Sequence, residues 1–488
     1  MGKSSVKATR RICVAKFGED RLSKLPDDIL LTIVERLNIA DAARTSIYSR
    51  RWKQIPAMLS KVVITVDPFE RLCQRSNKKV PYYDAAQLNS TMIEATRSIL
   101  GSRSANLYTI QLLRIKFYLG DDSIFIGQTV ADTMATQNVG FADFAIMTRK
   151  CGRLCTDEEL LNYGRQLVSL VYTCPSAFSG LTSLKLQNLR LGESEFPKIF
   201  GISRRLEFLS LEYCDMGMLS FLELERPQLS ELVIVDCHFE MVDLKWLPKL
   251  TLLTFSGWIS LYDPLSFGHV PLLQSVNITN IGLSWHKMLK LSDFLGQATI
   301  NDLHLNFKCE KIWIVPEGPR ELWQVFHKLQ IVELINISED CDLSWIMFIL
   351  QGAPYLKELC IRVWDHLCEV VRDEKERKEY AFSEKKDKGL EWDTSSSNFS
   401  HHSLAVLRIF GFQTEVKFMS LIGNVMDVAV SLKKIYLYNK PVCKTCQHVV
   451  RKPSRYPGSW KQKNSLRNKI IEGMCSDVEV YFPHKITC

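Results

Sequence analysis

The sequence predicts an α/β fold: a short N-terminal helical unit, then an elongated solenoid with parallel strands on its concave face and helices and irregular loops on its convex face. Three observations lead there. A Leu-x-x-Leu-x-Leu template with apolar variants recurs ten times. Its starts are 21–29 residues apart in eight of nine spacings, the range of leucine-rich repeats. Ahead of it lies a compact segment with a helix-start signal and an apolar stripe. The 488 residues, 46% hydrophobic and 24% charged, exclude global disorder, collagen-like repeats and a disulfide miniprotein.

The first 19 residues are polar and basic and read as a flexible tail without the apolar core of a secretory signal. Residues 20–60 form the compact unit. Pro26 suits a first helical turn because its missing N–H would have no partner there. Asp27 and Asp28 complement the positive end of the helix dipole. Ile29, Leu30, Ile33, Val34 and Leu37 then fall at helical spacing as one apolar stripe. Asp41 is placed to cap a second helix. A unit of roughly 40 residues is too short for its own core. Pattern alone leaves open whether the stripe packs on its own chain or on another protein.

Residues 61–180 read as irregular first repeats, with helices over Asp84–Leu100 and Ile124–Gln137 and strands over Leu112–Leu119 and Ala142–Thr148. The regular solenoid spans 181–440. Its templates begin at Leu181, Leu206, Leu229, Leu250, Leu273, Ile300, Leu329, Leu356, Leu404 and Leu432. On each short strand the second and third template positions alternate inward. No repeat buries them alone, and stacking supplies a shared core. The single 48-residue spacing marks a charged, Ser-containing insertion at about 368–400, read as a solvated loop. Residues 401–488 include a basic segment: Val428–Ile471 has eleven Lys/Arg and no Asp/Glu, which leaves the rest of the chain at −3 against a total of +8.

The stretch DRLSKLPDDIL from Asp20 to Leu30, followed by DAARTSIYSRRW from Asp41 to Trp52, resembles the F-box of plant F-box/leucine-rich-repeat proteins. His402, Leu404, Leu407, Ile409, Gly411, Phe412, Glu415, Phe418, Leu432 and Ile435 give the C-terminal region a looser likeness to that family's FBD region. The resemblance implies a non-catalytic substrate receptor of an SCF-type ubiquitin ligase. Its F-box would bind a Skp-type adaptor, and through it a cullin scaffold, while the repeats hold a target protein. Carried over by motif position, Leu25, Pro26, Ile29, Leu30, Ile33 and Leu37 meet the adaptor from the first helix, and Ser46, Arg50 and Trp52 belong to the second. Tyr48 stands where the family usually has an aliphatic residue, and Ile55-Pro56 where it often has Leu-Trp.

On the solenoid, Arg362, Arg408, Phe410, Tyr436 and Tyr438 cluster at the C-terminal end of the outward-facing positions. Arginine and aromatic residues are favoured binding anchors, so substrate reading is expected there. Cys443, Cys446 and His448 have metal-like spacing but no fourth ligand at a recognised distance, so no metal and no cofactor are expected. Gly-rich phosphate loops, His-Glu-x-x-His and Gly-x-Ser-x-Gly are absent, and no enzyme motif survives. Fifteen cysteines without a signal segment fit a reducing, intracellular setting in nucleus or cytoplasm. No run of about 18 apolar residues points to a membrane span. The alternatives are a repeat scaffold without ligase coupling, or a polyphosphate or nucleic-acid binder acting through the basic C-terminal segment.

Overall fold

The computed structural model describes residues 24–37, 41, 55, 58–66, 84–101, 103, 109–150, 152–218, 220–258, 262–296, 298–365, 374–382, 390, 399–440, 454–472 and 478–483. Among these, fourteen strands form one all-parallel sheet, from Lys61–Thr65 to Glu479–Tyr481. Strands follow one another across the sheet in chain order. The exceptions are Phe221–Glu225, Met241–Trp246 and Leu265–His269, which form a second parallel sheet. This is a leucine-rich-repeat solenoid with the α/β character that the period implies.

The core is the stack of inward positions. All ten templates coincide with strands, and none of their thirty apolar side chains is more than 5% exposed. Register is kept at the inward positions, where Leu303 pairs with Val332, Val332 with Leu359, Leu359 with Leu407, and Leu407 with Ile435, with one shift beyond Leu334. A one-residue slip would turn every inward side chain to solvent, so burial fixes the register.

The return segments depart from the expectation of helices and loops. The three consecutive repeats starting at Leu206, Leu229 and Leu250 are only 21–23 residues long, and each returns as a strand. The regular repeats of 25–29 residues return as helices, for example Glu195–Ile202, Pro319–Phe326 and Val416–Val428. The physical reason is length: an extended segment covers roughly 3.3 Å per residue and a helix about 1.5 Å. A short repeat must extend to cross back under its own strand. Leu222, Leu224, Val242 and Leu244 then alternate into the core opposite the main sheet.

Each strand must also leave the sheet sharply. The second residue after the third template position has positive φ at Asn188, Tyr213, Asp236, Gly257, Asn336 and Gly411. Asn, Asp and Gly tolerate that region best. Just beyond it, Cys214 and Cys237 are buried thiols that donate to the carbonyls of Leu186 (3.8 Å) and Leu211 (3.5 Å) of the preceding repeats. They satisfy backbone groups between turns of the coil.

The first repeats join the same sheet. The expected strands run Ile110–Tyr118 and Val139–Met147, and the expected helices Asp84–Leu100 and Ser123–Thr136. The C-terminal basic segment packs on the solenoid where it is described. Trp460–Ile471 is a helix opened by a Ser459–Gln462 capping box, with Leu466 and Ile470 buried. Arg467 donates to Val480 O at 3.1 Å and so meets the last described strand of the sheet. The charged insertion is likewise not wholly solvated. Its helix Glu374–Glu379 sends Arg377 to the buried Glu310 through two bonds of 2.7 and 2.9 Å, and Phe382 bridges to Leu283.

Gly411 combines φ +76° with a site where an added Cβ would lie 2.0 Å from Val363 O. Gly411→Ala is therefore expected to cost about 2–4 kcal/mol in urea denaturation. Gly423→Ala, with nothing within 4 Å, is expected to be neutral or slightly stabilising in the same measurement.

Candidate protein-recognition surfaces

Two surfaces are built from the residues singled out by sequence. The first is the helix Asp27–Val34. Leu30 N–H donates to Pro26 O at 3.1 Å, which opens the helix at the proline. Asp27 and Asp28 occupy its first turn. Ser60 Oγ donates to Glu35 Oε1 at 3.1 Å and ties the end of the helix to the entry of the first strand.

The single apolar stripe read from the sequence is two. Leu30 (0% exposed) and Val34 enter the chain's own core, together with Ile55, Leu59 and Val62. Ile29 (44%) and Leu37 (39%) face solvent, with Pro26 exposed and Ile33 and Leu25 half-buried. Leu30 is thus a core residue and not part of an outward face, a correction to the motif carry-over. A 100° step per residue separates adjacent positions 29 and 30 enough for one to anchor and the other to present. Ser46, Arg50 and Trp52 lie outside the described residues.

The second surface is the C-terminal end of the main sheet's solvent face, where all five expected residues meet. Registers Arg408↔Tyr436↔Tyr481 and Arg362↔Phe410↔Tyr438 set two rows side by side. Phe410 and Tyr438 stack with centroids 4.2 Å apart and planes 7° from parallel. Tyr436 stacks on Tyr481 at 5.0 Å. Arg362 lies over Phe410 at 4.9 Å and Arg408 over Tyr436 at 4.5 Å. Phe410 and Tyr438 are each only 7% exposed, so they brace the array, while Tyr436 and Tyr481 present it.

Both guanidinium groups have carboxylate partners. Arg408 is paired with Glu358 and also reaches Tyr438 Oη at 3.4 Å. Arg362 contacts Glu333 at 2.5 Å, and His304 Nδ1 is 2.9 Å from the same carboxylate. The bond from His304, reinforced by Arg362, holds the Glu333 carboxyl down at about 2 despite burial that opposes it. Burial, with Glu333 adding to it, pushes the Cys360 thiol up to about 12. Cys360 is an inert packing thiol here.

Sequence reasoning did not single out Glu333, Glu358 or Tyr481 as site residues. Glu358 stands immediately before the inward Leu359, in a row that also faces outward, and reading that row would have found it. Tyr481 lies on a strand without the leucine template, but the alternation Val478, Val480, Phe482 carries its signal. Cys443, Cys446 and His448 lie outside the described residues.

A stack of parallel-strand leucine-rich repeats behind a short helical unit defines the class as a leucine-rich-repeat solenoid with an N-terminal helical unit. The family model described as "At1g61320/AtMIF1, LRR domain" matches residues 172–465, and an F-box domain model matches 22–62. The chain belongs to this leucine-rich-repeat family, as a plant F-box/leucine-rich-repeat protein with an FBD-like C-terminal region. Similar proteins come from Arabidopsis thaliana. F-box/LRR-repeat protein At5g02910 is 26% identical over 40% of this chain and 39% of its own length. F-box/FBD/LRR-repeat protein At1g13570 is 25% identical over 59% and 67%. F-box/FBD/LRR-repeat protein At5g56420 is 25% identical over 49% and 48%. The chain thus spans half or less of two of these relatives and about two thirds of the third.

Glu333 carries a testable consequence. Its folded pKa is depressed, so its stabilisation is full above the unfolded value of about 4.3 and is lost as pH falls through about 2. Glu333→Gln is expected to lower stability at pH 7 by about 1–3 kcal/mol and to flatten the stability–pH curve between those values, measured by denaturant titration.

Proposed function

We propose that this chain is the substrate-recognition subunit of an SCF-type ubiquitin ligase. The F-box binds a Skp-type adaptor that leads to a cullin scaffold, and the repeats bind a target protein for ubiquitination. The observation that carries this reading is the division of the first helix. Leu30 and Val34 fasten it to the chain, while Pro26, Ile29 and Leu37, with part of Ile33, leave apolar surface outward within the F-box match. Exposed aliphatic residues on a fixed helix suit capture by a partner's groove.

The subunit does no bond chemistry in this role. It raises the concentration of the target beside the transferring enzyme. Target reading falls to the C-terminal array of Arg362, Arg408, Phe410, Tyr436 and Tyr438, where stacked rings and paired guanidinium groups give a rigid surface with little side-chain entropy left to lose. Burying an aliphatic anchor such as Ile29 contributes roughly 1.5–3 kcal/mol before association costs.

The test is pull-down with a Skp-type adaptor. Ile29→Asp combined with Leu37→Asp is expected to abolish capture while leaving the circular dichroism spectrum unchanged, because both side chains are outside the core. Normal capture by that folded double variant would contradict the assignment. Leu30→Asp is the contrasting variant: it is expected to destabilise the protein by several kcal/mol, about 3 or more, by burying a charge.

A further inference from the structure

Six neighbouring strands in the middle of the main sheet, from Phe208–Glu212 to Ile331–Ile337, contain no Lys or Arg. Their solvent face carries Glu212, Glu231, Asp302 and Glu333. Glu333 is engaged by Arg362 and His304. The side chains of Glu212, Glu231 and Asp302 have no hydrogen-bond or ion-pair partner among the described residues. Burial, and then the negative charge of Asp236 at the exit of the next strand, push the Glu212 carboxyl up, and no cation opposes them. Gln187, in register with Glu212, adds an enclosed Oε1 that receives no donor.

Between the acids the floor is low. Val233, Thr254 and Asn277 form one register row, and Val235, Ser256 and Thr279 the next. All six are short and half-buried, so a ligand backbone can approach the sheet. Glu231 and Asp302 share the row Glu231↔Leu252↔Ser275↔Asp302, three strand spacings or roughly 14 Å apart at the backbone. The chain from 204 to 337, which forms this zone and its edges, is described apart from residues 219, 259–261 and 297, all uncharged. Lys185, on the strand before, lies over the Phe208 ring at 5.1 Å and makes no ion pair among the described residues.

We infer that this middle face is a docking site for a basic, extended peptide segment of a partner protein, with Lys or Arg about four residues apart and small side chains between them. Four extended residues cover roughly the 14 Å that separates Glu231 from Asp302. The carboxylates take the cations, and the short floor admits the backbone between them. A nucleic acid would be repelled by the same carboxylates. The site uses neither the F-box helix nor the C-terminal array, so it stands independently of the ligase reading.

The probe is a fluorescein-labelled peptide of about 16 residues repeating Lys-Ser-Gly-Ser, titrated with the full chain and read by fluorescence anisotropy. Binding is expected to weaken about tenfold or more in Glu231→Gln/Asp302→Asn, and to fall similarly from about 50 to about 300 mM salt. Both acids lack partners, so the double variant is expected to keep its melting temperature. Val233→Arg, which sets a cation on the floor, is expected to lose binding as well. Glu158→Gln/Glu321→Gln removes the same charge from exposed helix positions and is expected to bind normally. Undiminished binding by Glu231→Gln/Asp302→Asn, or an equal loss in Glu158→Gln/Glu321→Gln, would overturn the proposal.

Discussion

The structure depends on one constraint: no repeat can bury its own inward side chains. Leu303 and Leu305 are covered only because Val276, Ile278, Val332 and Leu334 stand in register on either side. That mutual dependence sets the parallel order, fixes which residues face outward, and so determines what the recognition faces are made of. The arginine–aromatic array exists because the inward stack holds Phe410 against Tyr438 and Tyr436 against Tyr481.

The two ends of the solenoid solve different problems with the same materials. At the start, one helix gives alternate residues to the core and to solvent, so a short segment without a core of its own is held firmly and still has a face to offer. At the end, the final helix buries Leu466 and Ile470 and leaves Arg467 to meet the last described strand. A repeat array needs such caps because its terminal units have a neighbour on one side only.

Much of this was legible in the sequence, and the gaps have physical causes. The ten templates predict ten strands because Leu-x-x-Leu-x-Leu encodes both a turn and an alternation. Lys61–Thr65 follows Leu59 and carries the template as Leu59/Val62/Ile64, an isolated copy far from the regular series, whereas Glu479–Tyr481 has Asp477 at the leading position and only an alternation of Val478, Val480 and Phe482 marks it. The strand returns were encoded in repeat length, which separates 21–23 from 25–29 residues, but length was not read as a conformational signal. The helix stripe was misread as one face because adjacent Ile29 and Leu30 have the same hydropathy and differ only in phase. The five C-terminal site residues were legible from position and residue type, whereas their carboxylate partners needed three-dimensional neighbours: Glu358 and Arg408 are separated by the whole charged insertion.

The central claim, one continuous stack shared across the insertion, is most directly tested by native-state hydrogen exchange. The account requires the strand amides of Leu252–Ser256, Asp302–Asn306, Val406–Phe410 and Lys434–Tyr438 to exchange through one common cooperative opening, with lower protection only toward the two terminal strands. Separate, much weaker protection of Val406–Phe410 and Lys434–Tyr438 would show that the chain beyond the insertion folds by itself and would contradict the account.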